Sequence, residues 1–163
     1  ELKREHLADI KEAAADTAAE LEGALPAVGR RFAAFIGLDE AETAGLVTAL
    51  AVYETGAAVK DEVQTILGNG ENGAAKPDEV RQSAVEALVY GNERWDGGGY
   101  PEGRRGDEIP LVARAFAVCR RWDPAEHNGD SVAQLRGRAA HELDPKMVQR
   151  FAAMLRAEMA EHN

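Results

Sequence analysis

Helical periodicity runs through almost the whole of this 163-residue chain, and no segment shows the two-residue alternation of a β-strand. The strongest stripe covers residues 7–28 and has the alternating three- and four-residue spacing of a heptad repeat. Its members are Leu7, Ile10, Ala14, Thr17, Leu21, Ala24 and Val28. Gly23 and Pro26 are expected to end or kink this first helix near residue 25. A chain patterned in this way can only build an all-α fold.

Glycine, proline and capping residues divide the rest of the chain into further predicted helices. These cover 27–37, about 40–56, 61–67, 77–91 and 111–122, and two more begin at Asp130 and at Asp144–Pro145. Asp39 with Glu42 has the pattern of a capping box. The apolar set expected to face the core is Leu46, Leu50, Tyr53, Val80, Ala84, Ala87 and Leu88. The prediction is one compact domain of about seven or eight helices, with loops at 68–73 and 92–109.

Charge and cysteine content limit the classes of partner and the cellular location expected for such a domain. The net charge of −10 argues against binding to nucleic acid or to an anionic membrane. No apolar run approaches the ~20 residues that span a bilayer. Cys119 is the single cysteine, so an internal disulfide is impossible and a reducing cytoplasm is the expected location. The histidines, His6, His127, His141 and His162, match no zinc-site spacing.

The loop after the helix at 77–91 carries the most specific motif in the chain. Its members are Arg94, Trp95, Asp96, Gly97, Gly98, Gly99, Tyr100 and Pro101, followed by Glu108-Ile109-Pro110-Leu111. This stretch resembles the signature loop of the HD-GYP family, which are metal-dependent cyclic di-GMP phosphodiesterases. The resemblance implies an HD-domain-like helical fold for residues 26–163. The heptad stripe leaves two alternatives for residues 1–25, which are a dimer or linker helix between subunits or domains, and the first core helix of a monomer. The resemblance also implies that the loop is a candidate surface for a partner protein or a ligand.

The same resemblance shows where the sequence departs from the family. At the positions that its metal ligands would occupy, this chain has Tyr53, Glu54, Gly91, Asn92 and Arg120. Tyrosine, glycine and arginine offer no useful ligand, and a guanidinium repels a divalent cation. We therefore expect a degenerate domain without a metal, a cofactor or catalytic residues. A hypothesis for the replacement is an ion pair between Glu54 and Arg120.

Arginines around the loop indicate a second kind of site. Guanidinium forks and the amides of a glycine-rich loop bind phosphate without metal. The candidates are Arg94, Arg104, Arg105, Arg120 and Arg121. The alternative is that Arg104 and Arg105 are a solvated loop tip, since Glu102, Asp107 and Glu108 offset their charge. Trp95 has two interpretations as well, as a ring buried in the fold or as one exposed for stacking.

Three functions follow from these observations. The first is a non-catalytic regulatory module in a larger bacterial signalling or transcription-control protein, which binds a protein partner or forms a homodimer through residues 1–28. The second is a metal-free receptor for cyclic di-GMP or another phosphorylated ligand. The third is a residual metal-dependent phosphodiesterase.

Overall fold

A computed structural model describes residues 24–55, 77–123 and 130–161. Within these ranges the chain forms six α-helices, a 3₁₀ turn at Gly106–Glu108, and no strand. The helices are α1 (Ala24–Ile36), α2 (Glu40–Thr55), α3 (Pro77–Tyr90), α4 (Leu111–Cys119), α5 (Asp130–Arg138) and α6 (Pro145–Glu161). The predicted all-α class is confirmed. The predicted helix at 61–67, the loop at 68–73 and most of the heptad stripe lie outside the described residues.

Helix α4 is the centre of the core. Seven of its nine residues are buried, including Phe116, Val118 and Cys119. A helix that is apolar on nearly every side is covered on every side, and α4 contacts α2, α3, α1 and α6. Edge-to-face ring contacts extend the core, since the ring centroids of Phe32 and Phe151 are 5.1 Å apart.

Helices α2 and α3 pack most closely at Gly45. A Cβ at this position would lie 2.4 Å from Cβ of Ser83 and 2.8 Å from the backbone nitrogen of Ala84. The glycine therefore lets the two backbones approach. Leu46 and Leu50 on α2, and Val80, Ala84 and Ala87 on α3, are buried as the pattern predicts.

Local signals set several helix ends. The amide of Glu42 donates to Oδ1 of Asp39 over 2.7 Å, which confirms the predicted cap of α2. The amide of Lys146 donates to Oδ1 of Asp144 over 2.9 Å, so Asp144 caps α6. None of the described helices is long and apolar enough to cross a bilayer.

One prediction about the helices is wrong, since Tyr53 is 50% exposed instead of facing the core. Pro26 lies in the first turn of α1, which tolerates proline because its amides have no partner inside the helix. The end of the first predicted helix near residue 25 stays a prediction, because the residues before Ala24 lie outside the described ranges. Val28, the last member of the heptad stripe, is fully buried within this chain.

Burial makes Cys119 a probe of folding. It lies fully buried in α4, and desolvation raises the pKa of its thiol. Because the thiolate is the reactive form, we expect the native protein not to react with Ellman's reagent at neutral pH. The same protein in guanidinium chloride is expected to release one equivalent of the reagent's coloured thiolate per chain. A rapid reaction of the native protein would contradict the buried position.

Candidate functional site

A buried carboxylate anchors the glycine-rich loop that connects α3 to α4. Glu93 is only 4% exposed. Its Oε1 accepts the amide of Glu102 over 2.7 Å, and its Oε2 accepts the amide of Arg104 over 3.0 Å. Each carboxylate oxygen thus satisfies one loop amide. The motif search missed Glu93, although an acidic residue immediately before the loop was visible in the sequence.

The loop also docks on the turn between α5 and α6. The amide of Trp95 donates to the carbonyl of Glu142 over 3.2 Å, and that of Asp96 donates to the carbonyl of His141 over 2.9 Å. Gly97 has a φ of +84°, a value that favours glycine. At Gly99 a Cβ would lie 2.5 Å from the carbonyl oxygen of Asn92, so only glycine fits. The glycines of the motif therefore have a structural role.

The two aromatic residues of the loop lie in different environments. Trp95 is partly buried and lines a cavity of about 10 Å³ with Glu93, Ile109 and Arg114. Tyr100 is 65% exposed and precedes a cis peptide bond to Pro101. Trp95 thus packs into the fold, and Tyr100 is the ring available to a partner.

The structure brings four of the five predicted former metal positions together around Phe116. Nη1 of Arg120 donates to Oδ1 of Asn92 over 3.1 Å. The guanidinium carbon of Arg120 lies 5.9 Å from the ring centroid of Tyr53 and 5.6 Å from that of Phe116. Gly91 lies against the same Phe116 ring. Phe116 was not identified as part of this site from the sequence, because it fits the core pattern of α4.

The predicted ion pair between Glu54 and Arg120 is wrong. Glu54 is exposed, and no ion pair joins it to Arg120. Arg120 instead bonds to a neutral amide. Desolvation by burial lowers the pKa of Arg120, but a guanidinium titrates so far above neutral pH that it stays charged.

These side chains do not fit the metal centre that the resemblance implies. A fixed guanidinium, an amide and a phenol take the place of carboxylates and imidazoles. Across the described ranges, no group of three His, Cys, Asp or Glu residues is arranged to hold a metal ion. A divalent cation at this position would be repelled by Arg120.

The structure divides the predicted phosphate-binding arginines between two places, since Arg94 and Arg121 share Glu142 whereas Arg104 lies elsewhere on the loop. Arg94 makes a bidentate pair with Asp96, over 2.9 and 3.1 Å, and this hydrogen bonding lowers the pKa of Asp96. Arg104 lies 4.1 Å over the ring of Tyr90 and pairs with Glu102. Arg105 is exposed on the loop. The five arginines therefore do not form a single pocket.

Glu142 is a further polar centre that sequence reasoning missed. It pairs with Arg138 over 2.8 Å, Arg121 over 3.4 Å and Arg94 over 3.7 Å. The hydrogen bond from Arg138 is the largest cause that lowers the pKa of Glu142. Since Arg94 belongs to the loop and Arg121 follows α4, this carboxylate joins three parts of the fold.

The anchoring role of Glu93 predicts a loss of stability in Glu93→Gln. An amide keeps one acceptor oxygen but presents an NH₂ group to the other loop amide. We expect the free energy of unfolding to fall by about 1–3 kcal/mol, measured by urea denaturation. Glu102→Gln, at an exposed side chain of the same loop, is the control and should change it by less than about 0.5 kcal/mol. Equal effects would contradict the anchor.

Comparison with known proteins relates part of this chain to a family. Residues 74–147 match the family described as HD domain. This part of the chain is thus an HD domain, with homology to phosphodiesterases of Vibrio cholerae serotype O1. A "Probable cyclic di-GMP phosphodiesterase" is 38% identical over 78 residues, which are 42% of this chain. A "3'3'-cGAMP-specific phosphodiesterase 3" is 29% identical over 117 residues, which are 69% of this chain.

A solved structure shares the fold over a longer stretch. The cyclic GMP-AMP-specific phosphodiesterase V-cGAP3 of V. cholerae superposes with a TM-score of 0.55 at 17% identity, over 83% of this chain and 43% of that one. The sequence matches span only 18% and 25% of the lengths of the two relatives. The present chain is therefore comparable with a part of those proteins.

Proposed function

We propose that this HD domain is a non-catalytic regulatory module that works by binding a protein. The observation that carries the proposal is the Arg120 guanidinium, bonded to Asn92 and packed near Phe116, at a position where the family resemblance implies a metal ligand. A fixed positive charge there opposes a divalent cation, and a metal-activated water is the nucleophile of such enzymes. A cytoplasmic location within a larger bacterial protein is part of the same proposal.

Metal analysis and a turnover assay test this proposal directly. The purified protein, loaded with manganese or iron(II), is expected to retain no stoichiometric metal. It is also expected to hydrolyse neither cyclic di-GMP nor 3'3'-cGAMP above the rate of a protein-free sample with the same metal. Bound metal together with turnover that depends on it would overturn the proposal in favour of a residual phosphodiesterase.

A metal-free receptor for a cyclic dinucleotide is the second candidate. The observation that favours it is the exposed Arg105 beside Gly97 in the loop, together with the unused donors of Arg120. Calorimetric titration with cyclic di-GMP would test it. Saturable heat that disappears in Arg105→Ala would support a receptor, and the absence of heat at millimolar ligand would exclude this ligand.

Self-association through residues 1–28 is a separate prediction about partners. Val28 is fully buried within the domain, so an intersubunit helix would have to use positions before it. Light scattering of the chain with and without residues 1–23 tests this. If the measured mass corresponds to the same number of chains per particle in both samples, that result would count against a dimer formed by this segment.

A further inference from the structure

Arg120 is a partly buried cation that has no carboxylate partner within the described ranges. Its Nη1 donates to Asn92, while Nε and Nη2 have no acceptor there. The arginines beside it are paired, Arg94 with Asp96 and Arg121 with Glu142. Glu142 acts on Arg120 electrostatically but makes no ion pair with it, because its oxygens pair with Arg94, Arg121 and Arg138. Arg120 therefore has two donors to spare and no directly bonded carboxylate.

The unused donors form the edge of the guanidinium that suits a carboxylate. With Nη1 held by Asn92, the Nε–Nη2 edge remains. Two parallel N–H groups on that edge match the two oxygens of a carboxylate in bidentate pairing. The same chain uses this arrangement between Nε and Nη2 of Arg94 and the oxygens of Asp96.

Exposed aromatic rings border this guanidinium. Tyr53 is 50% exposed and its ring lies 5.9 Å from the guanidinium carbon. Tyr100 is 65% exposed, and its amide donates over 3.4 Å to the carbonyl of Asn92, the residue whose side chain bonds to Arg120. Tyrosine and arginine are the residues enriched at the energetic centres of protein interfaces. Both rings lose little conformational freedom when they become covered.

Charge distribution favours an acidic partner at this location. The guanidiniums of Arg94, Arg121 and Arg138 pair with Glu142, Arg94 also pairs with Asp96, and Arg120 precedes Arg121 in the chain, so four guanidiniums stand against two carboxylates. The whole chain, in contrast, has a net charge of −10. An acidic segment would be repelled by most of the surface and attracted to this local positive region.

We propose that Arg120 binds a Glu or Asp side chain of a partner protein, whose flanking apolar residues pack on Tyr53 and Tyr100. This inference rests on the proposed function, because it specifies what the interaction module recognises. A carboxylate fits better than a phosphate dianion. Arg120 is the guanidinium without a directly bonded carboxylate, and its one positive charge matches the one negative charge of a carboxylate. A phosphate dianion would need a second cation, but the neighbouring Arg94 and Arg121 already pair with carboxylates.

Titration with two short peptides tests the proposal. The probe is acetyl-Leu-Glu-Leu-amide, and its matched control is acetyl-Leu-Gln-Leu-amide. In ¹⁵N-labelled protein, the Nε–Hε signal of Arg120 is assigned from its loss in Arg120→Lys. We expect the glutamate peptide to shift this signal with a Kd on the order of 1–10 mM, and the glutamine peptide to leave it unchanged. Added salt should weaken the effect.

Variants separate the site from general charge attraction. Ring signals of Tyr53 report binding when the Arg120 signal is absent. Arg120→Lys and Tyr100→Ala are each expected to weaken the glutamate peptide by about fivefold or more. Arg150→Ala, which removes an exposed arginine on α6, should leave its affinity unchanged. Circular dichroism confirms that each variant is folded. Of Arg120→Lys and Tyr100→Ala, the second is less prone to disturb the fold, because Tyr100 is exposed.

Three results would overturn the inference. These are no shift with the glutamate peptide, equal weakening by Arg150→Ala, and a saturable shift with inorganic phosphate but not with the peptide. Each leaves the non-catalytic proposal standing, since metal content and turnover test that independently. Conversely, peptide binding in a protein that turns over cyclic di-GMP would overturn the proposed function and retain the carboxylate site.

Discussion

Replacing Asp144 with alanine is expected to lower the free energy of unfolding by about 3–5 kcal/mol. The Asp144 side chain is 1% exposed, and its Oδ2 accepts from Nη1 of Arg114 over 2.9 Å. Its Oδ1 caps α6 by accepting the amide of Lys146. The substitution therefore leaves the largely buried guanidinium of Arg114 with only the exposed Asp107 as a charged partner, and it removes a helix cap. Urea denaturation followed by circular dichroism measures the loss.

Asp107→Ala is the matched control for that experiment. Asp107 lies 3.6 Å from the same Nη1 of Arg114, but its side chain is 91% exposed. Water screens such a pair, so we expect a change within about 0.5 kcal/mol. Equal losses in the two variants would show that burial of Asp144 does not determine the energy of its pairing with Arg114. Arg114 also donates to the carbonyl of Ile109 at the end of the loop, so Asp144→Ala should loosen the loop as well.

Sequence reasoning succeeded where the determinants of structure are local. Helix starts at Asp39 and Asp144 depend on residues within one turn, and their caps are in place. Apolar periodicity located the inner faces of α2 and α3 for the same reason. It failed at Tyr53, whose amphipathic ring lies at the rim of the fold.

The site was only partly predictable, because its energetics depend on pairs distant in sequence. The resemblance to a family identified Asn92 and Arg120 as positions of interest. It could not say that they would bond to each other, since they are 28 residues apart. Helical patterning marked Phe116 as core and gave no hint that its ring borders the former metal positions. Similarly, the pairing of Arg114 with Asp144 joins residues separated by 30 positions.

Gly91 and Phe116 are expected to be strongly coupled in a double-mutant cycle. A Cβ at position 91 would lie 2.4 Å from the carbonyl oxygen of Ala87 and 2.5 Å from a ring carbon of Phe116. Gly91→Ala should therefore lower the free energy of unfolding by about 1–3 kcal/mol, and Phe116→Ala by about 3–5 kcal/mol. The double variant should lose at least about 1 kcal/mol less than the sum, since removing the ring relieves one of the two clashes.

Gly137→Ala on α5 is the control glycine, because a Cβ there would meet nothing within 4 Å. It is expected to raise stability by about 0.5–1 kcal/mol. The cycle also bears on function, since the resemblance implies a histidine where Gly91 lies. If the two positions are coupled, a ligand at residue 91 requires displacement of Phe116, and Gly91→His alone cannot rebuild a metal centre. Additive losses would instead mean that the Phe116 ring yields readily and that the space beside Arg120 is open to a ligand.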